Sequence, residues 1–229
     1  VKLYELAAGN SDVRMSPHCW KIRMALAHKG IGAQTIPWRF TDKEAIAFSG
    51  QGRVPVLVNN EDVVADSWAI ACYLDATYKS KPDLFAGEAD KALALFVNHW
   101  ADSSLLPAIA KLIMMDLYNA LAERDREYFR ETREKALGQS LETFTANRET
   151  AVEVFRKLLA PLRMTLESQP YLCGSKSGYA DYCVFGAFMW ARGVSEYELL
   201  DSQDSLHRWR NGLLDAFDGE ARNAVRAKS

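Results

Sequence analysis

Residues 16–30 read SPHCWKIRMALAHKG, from Ser16 to Gly30. Serine is a preferred N-cap and proline fits the first helical turn, so a helix opens at Ser16-Pro17. Cys19, Ile22 and Leu26 recur on one face. His28 and Lys29 fall in the last turn, where cations suit the helix dipole, and Gly30 supplies the left-handed stop. Working outward, Lys2 to Leu6 alternates as a short strand, followed by a Gly9-Asn10-Ser11-Asp12 loop. Gln34 to Trp38 reads as a second strand. Val54 to Val58 and Asp62 to Ala65 flank Asn59-Asn60-Glu61 as a hairpin, and Asp66 caps a helix through Trp68, Ile70, Ala71 and Leu74. The order is strand, helix, strand, connection, strand, strand, helix. It predicts two parallel strands joined by a helical crossover, with an antiparallel edge added afterwards.

That order is the thioredoxin-like plan, which is α/β, and it occupies residues 1–79. Residues 80–87 carry proline, glycine and charge and read as a linker. Residues 88–229 are helical by period and predict an all-α bundle. Asp90 to Tyr118 forms a long striped helix kinked near Pro107, and Glu123 to Leu166 gives one or two helices. Tyr179 to Gly193 is nearly all apolar and predicts a buried central helix, and Ser202 to Phe217 supplies another. The 229-residue chain is 48% hydrophobic and 25% charged, with 28 basic against 30 acidic residues and a net charge of −2. Disordered, collagenous and coiled-coil classes do not fit that composition. Without a basic excess or stripe, no nucleic-acid partner is expected. No apolar run reaches the length of a membrane span, and VKLYEL lacks the zones of a signal peptide, so no membrane partner is expected. Four cysteines, three of them in apolar helical stretches, predict a reducing, cytoplasmic setting. His18, His28, His99 and His207 share no metal-ligand spacing, and no metal is expected.

A helix start offers free N–H groups and partial positive charge, which suit an anion such as a thiolate. Ser16 stands at that point, either as a plain N-cap or as a donor to a substrate thiolate. Ser16-Pro17-His18-Cys19 is a C-x-x-C motif whose first, attacking cysteine is replaced by serine. Dithiol chemistry is therefore lost, and an external thiol becomes the expected substrate. Lowering a thiol pKa of about 8.5 by about two units takes roughly 2.7 kcal/mol. A hydrogen bond to the charged form supplies about 1.5–3 kcal/mol, and the helix N-terminus about 0.3–1 kcal/mol more. Arg53-Val54-Pro55 either merely starts a strand or, with a cis bond, leaves the Val54 backbone free to pair with an extended peptide. Asp66-Ser67 is either a plain cap or a receiver for the amino and carboxylate groups of a peptide end.

Ser16 on the first helix, Val54-Pro55 and Asp66-Ser67, in this order, resemble the soluble glutathione transferases, and the resemblance spans the whole chain. The runs SPHCWKIRMALAHKG, GRVPVLV and DSWAIACYLDATY are in addition similar to the bacterial lignin β-aryl etherases and the fungal etherase-related class. The resemblance implies glutathione as co-substrate, a small-molecule electrophile and a homodimer. It implies that Ser16 activates the glutathione thiol, with Asn10 and Ser11 as reserve candidates. It implies that Val54, before Pro55, pairs with the cysteinyl residue and that Asp66 and Ser67 hold the γ-glutamyl end. Trp38, Lys43, Gln51 and Arg53 are the candidates for the glycyl carboxylate. The electrophile's wall falls to the long helix, with His99, Trp100, Leu106, Ile113, Met114, Met115 and Tyr118, and to Trp20 and Trp38. Such an aromatic-rich pocket suits an aromatic substrate, and the etherase likeness implies cleavage of an aromatic β-ether. The alternatives are a non-catalytic glutathione-binding protein and a glutathione-dependent reductase using Cys19. The family's usual Ser or Thr cap before the central helix is Gly178 here. Asp181 remains to reach back to the cap N–H, as a folding feature. The charged stretch Glu123 to Lys135 reads as a solvated helix face.

Overall fold

A computed structural model of the chain describes residues 1–227. Strands β1 (Lys2–Leu6), β2 (Gln34–Trp38), β3 (Val56–Asn59) and β4 (Asp62–Ala65) form one sheet in the order β2-β1-β3-β4. β1 runs parallel to β2, with Leu3 opposite Thr35, and antiparallel to β3, with Leu3 opposite Leu57. Helix α1 (Pro17–His28) makes the crossover and α2 (Ser67–Thr77) follows the hairpin, which is the expected thioredoxin-like arrangement. Two details differ from expectation. β3 begins at Val56 rather than Val54, because Pro55 has no N–H to give a ladder. The connection after β2 carries a 3₁₀ helix over Lys43–Ser49, closed by Gly50 at φ 72°, where no element is predicted.

The remainder is helical: α3 (Glu88–Trp100), α4 (Leu106–Ala120), α5 (Glu123–Leu137), α6 (Leu141–Thr145), α7 (Arg148–Leu158), α8 (Ala160–Ser168), α9 (Tyr179–Val194) and α10 (Leu206–Gly219). A π turn over Ala101–Leu105 joins α3 to α4, and the Leu106 N–H reaches back to the Ala101 carbonyl. The expected irregularity is thus a π turn just upstream of Pro107, whose missing N–H cannot continue the ladder. Residues 123–166, predicted as one or two helices, form four. Gly138 at φ 68° ends α5, the Ser140 hydroxyl accepts from Thr143 N to start α6, and Pro161 lies in the first turn of α8.

Helix α9 is the buried centre and positions both helix starts of the first domain. A Cβ on Gly186 would stand 2.5 Å from the Pro17 carbonyl oxygen, so α1 and α9 meet backbone to backbone. Tyr179 donates its hydroxyl to the Ser67 carbonyl at 2.9 Å, fixing the start of α2. Lys21 of α1 is fully buried and donates to Asn98 and Asp102, each at 2.8 Å. Asp181 accepts from the Gly178 N–H at 3.1 Å, as expected. A Cβ at this cap would lie 2.6 Å from Cys173 Sγ, so any larger residue there would oblige that side chain to move.

Glu5 on β1 is also fully buried, 3.5 Å from Arg14 and 4.0 Å from Arg23, which pairs in turn with Glu220. Burial pushes its carboxyl up to about 7, against the pull of the two guanidiniums. The folded chain therefore holds the Glu5 proton more tightly than the unfolded chain does. Its contribution is fully present below about pH 4.5 and is lost as pH rises through about 7. Denaturant titrations from pH 5 to pH 8 are expected to show the natural chain losing stability relative to E5Q. Parallel profiles would refute that account.

Candidate functional site

The site grows from the start of α1. Ser16 is 4% exposed, and its hydroxyl oxygen accepts from the Cys19 N–H at 3.2 Å. Capping uses an acceptor lone pair and leaves the hydroxyl proton free to donate. The plain-cap and thiolate-donor readings are therefore compatible in one side chain. Ser16 opens into a cleft of about 470 Å³ between the two domains. Its first-domain wall holds Ser16, Pro17 and His18 of the α1 start, Trp38 at the end of β2, Phe40 and Lys43 after it, and Arg53 and Val54 before β3. The opposite wall holds Leu106, Met114 and Leu117 of α4, Tyr128, Phe129 and Arg133 of α5, and Trp190 of α9.

The cleft thus brings together Ser16, Trp38, Lys43, Arg53, Val54, Leu106 and Met114 from the sequence candidates. The Val54-Pro55 bond is cis, with Pro55 buried. Lys43 donates to the Gly52 carbonyl at 2.8 Å and lies 4.9 Å from the centre of the Trp38 ring, whose Nε1 donates to the Asp42 carbonyl. Asp66 is exposed at φ 81°, and its Oδ1 accepts from Trp68 N at 2.9 Å and Ala69 N at 3.1 Å. Ser67 is buried beside it. Gln51 is half-buried and stands outside the cleft lining. Asn10 accepts from Asp12 N in an exposed turn, and neither it nor Ser11 lines the cleft.

Several expected pocket residues lie elsewhere. Trp20 is 1% exposed and donates to the Arg14 carbonyl at 2.8 Å, so it is a core residue. His99 points to solvent from α3, and Trp100 packs against the core. Ile113 is fully buried. Leu106, Met114 and Leu117 share one side of α4. Met115, about 100° further round, is turned away from the cleft. Tyr118 carries the Arg130 guanidinium 4.6 Å above its ring and lies outside the lining.

Other cleft residues escaped the sequence reading. His18 sits at the second turn-forming position of α1, with Nδ1 3.8 Å from the Asp102 carboxylate. Asp102 lies on the π turn, which also aims it at Lys21. Burial and the Lys21 charge hold His18 down at about 4, so the ring is neutral near pH 7. The α5 residues were hidden in a charge-dense run that predicts a solvated face. Instead Phe129 is buried, and Asp125 accepts from the Thr41 N–H at 3.0 Å and hydroxyl at 2.7 Å. The adjacent aromatics Tyr128-Phe129 within that run were the available signal. Cys19 lies behind the site, where burial pushes its thiol up to about 12.

A family model described as the glutathione S-transferase C-terminal domain matches residues 92–221, and one described as the N-terminal domain matches residues 15–77. A glutathione S-transferase-like protein of Aspergillus flavus is 29% identical over 238 residues, covering 90% of this chain and 81% of that protein. The crystal structure of a glutathione transferase from Phanerochaete chrysosporium is similar at a TM-score of 0.82 and 28% identity, covering 96% of each chain. A glutathione S-transferase of Ceriporiopsis subvermispora, crystallised in complex with glutathione, has the same fold at a TM-score of 0.81, 24% identity and 96% coverage of each chain.

Proposed function

The chain belongs to the glutathione S-transferase family, and on that premise we propose that it activates glutathione for attack on an electrophilic aromatic small molecule. One observation carries the reading: the buried Ser16 hydroxyl at the α1 start opens into the cleft, and its hydrogen bond from the Cys19 N–H uses an acceptor lone pair and not its proton. In this mechanism Ser16 donates to the thiolate sulfur, and the helix start adds its partial charge. The Val54 backbone pairs with the cysteinyl unit, and Asp66 with Ser67 receives the γ-glutamyl end. Lys43 or Arg53 meets the glycyl carboxylate, beside Trp38. Sulfur bonds to the electrophilic carbon, and the leaving group departs with its electron pair. The protein otherwise holds two substrates in reacting geometry. Cleavage of an aromatic β-ether, releasing a phenol, is the narrower form of the proposal. A homodimer is proposed with it, and light scattering reads that directly.

The test is incubation with glutathione and a model β-aryl ether ketone, followed by mass spectrometry for the glutathione thioether and freed phenol. Absence of both removes the etherase form. The wider reading then depends on whether bound glutathione ionises more readily than free glutathione. A reductase using Cys19 is disfavoured by that thiol's burial and raised pKa. C19A is accordingly expected to keep full conjugating activity. A large loss of turnover in C19A, at unchanged thermal stability, would restore the reductase reading.

A further inference from the structure

The cleft lining contains Lys43, Arg53 and Arg133 and no aspartate or glutamate. Arg133 is the odd member. It comes from α5, on the wall opposite Lys43 and Arg53. Its guanidinium carbon lies 5.6 Å from the centre of the Phe40 ring and 5.0 Å from that of Phe129. The other arginines of α5 have settled partners. Arg124 pairs with Asp42, Arg130 with Glu134 and Glu142, and Arg126 donates to the Asn119 carbonyl. Arg133 reaches only the hydroxyl of its neighbour Thr132, at 3.4 Å, and no ion pair joins it to a carboxylate among the described residues. Burial disfavours its charged form, and the like charge of Arg53 adds to that against the opposing influence of Tyr128. Arg133 is thus a half-buried cation held among aromatic rings, with no carboxylate partner among the described residues and with its guanidinium still open to the cleft.

Resting on the transferase reading above, we infer that Arg133 is a specificity-determining residue that binds a carboxylate carried by the aromatic electrophile. On that reading glutathione's own anionic groups have recipients on the first domain: Ser16 for the thiolate, Lys43 or Arg53 for the glycyl carboxylate, and the α2 start at Ser67 for the γ-glutamyl carboxylate. Arg133 stands on the helical-domain wall with Met114 and Leu106, where an aromatic substrate would lie. Its planar fork matches a carboxylate bidentately, and the flanking Phe40 and Phe129 rings suit an aryl frame. The favoured substrates are therefore aryl carboxylates bearing a displaceable group.

The test uses para-chloro-meta-nitrobenzoate and its neutral carboxamide. In both, the glutathione sulfur bonds to the ring carbon and chloride leaves with the bonding pair. Rates are divided by the uncatalysed rates. The natural chain is expected to favour the benzoate in kcat/KM by about tenfold, R133Q to lose that preference and R133K to keep part of it. The KM for glutathione should stay unchanged in R133Q. Equal use of both probes would overturn the inference. So would R133Q raising the glutathione KM at an unchanged preference, because Arg133 would then serve the glycyl carboxylate. If neither probe is conjugated, the transferase reading fails separately, and binding decides. Quenching of cleft tryptophans by meta-nitrobenzoate, but not by meta-nitrobenzamide, and its loss in R133Q would sustain the site. Indifferent quenching would remove it.

Discussion

Ser16→Ala is expected to lower kcat/KM for glutathione conjugation by about 10²–10³-fold, the usual cost of removing one donor aimed at developing or resident negative charge. The same substitution removes the α1 cap, which costs about 1 kcal/mol of stability. The two effects separate cleanly. Thermal denaturation reads the cap, whereas ultraviolet absorbance of the glutathione thiolate, followed across pH, reads the donor. In S16A the midpoint of thiolate formation should move up by about one to two pH units. Ser16→Thr keeps both the cap and the proton and should stay close to the natural midpoint. N10A and S11A should change neither readout, since both residues lie in a loop outside the cleft. An unmoved thiolate midpoint in S16A would mean that capping is the whole role of Ser16.

What was legible in the sequence follows from where the determining signals lie. The α1 start is announced locally by Ser16-Pro17 and its end by Gly30, which takes φ 59°. The same holds for Asp66, whose carboxylate caps α2 as expected. These features depend on residues within one turn of each other. The cleft depends on contacts between residues far apart in the chain, and there the sequence is less informative. Trp20 looks like a pocket aromatic beside the helix start, yet α1 turns it into the core and onto the Arg14 carbonyl. His18 has no local mark. Its setting comes from Asp102, brought to it by a π turn more than eighty residues further on. Arg133 is hidden by its charged neighbours, and α5 is turned toward the first domain by contacts distant in sequence: Phe129 on Phe40, centroids 5.5 Å apart, Asp125 with Thr41 and Arg124 with Asp42. Within residues 123–166 the break between α5 and α6 is marked by Gly138 and Ser140 as stop and start signals, and Pro161 lies in the first turn of α8.

The largest loss of stability is expected from Asp181→Ala, about 3–5 kcal/mol, with a matching fall in the denaturant midpoint. Asp181 is fully buried. Its Oδ1 accepts from Leu172 N and from Trp209 Nε1, each at 2.8 Å, and its Oδ2 from Gly178 N at 3.1 Å and Cys173 N at 3.4 Å. Alanine strands these donors, of which Gly178 N and Trp209 Nε1 are buried, and each buried stranded donor costs about 1–3 kcal/mol before relaxation. Asp181→Asn should fall between the two, because an amide keeps one acceptor and turns its NH₂ against the remaining donors. The consequence extends to the site. Tyr179, two residues earlier, holds the Ser67 carbonyl, and Gly186, further along α9, fixes the approach to Pro17. Loosening the α9 start should therefore weaken glutathione binding in D181A even at temperatures where the chain remains folded. Calorimetric titration of glutathione beside the denaturation curve separates the outcomes. Lost stability with undiminished affinity would show that the capping cluster acts on the helical domain alone, and that the Tyr179 and Gly186 contacts hold the two helix starts without it.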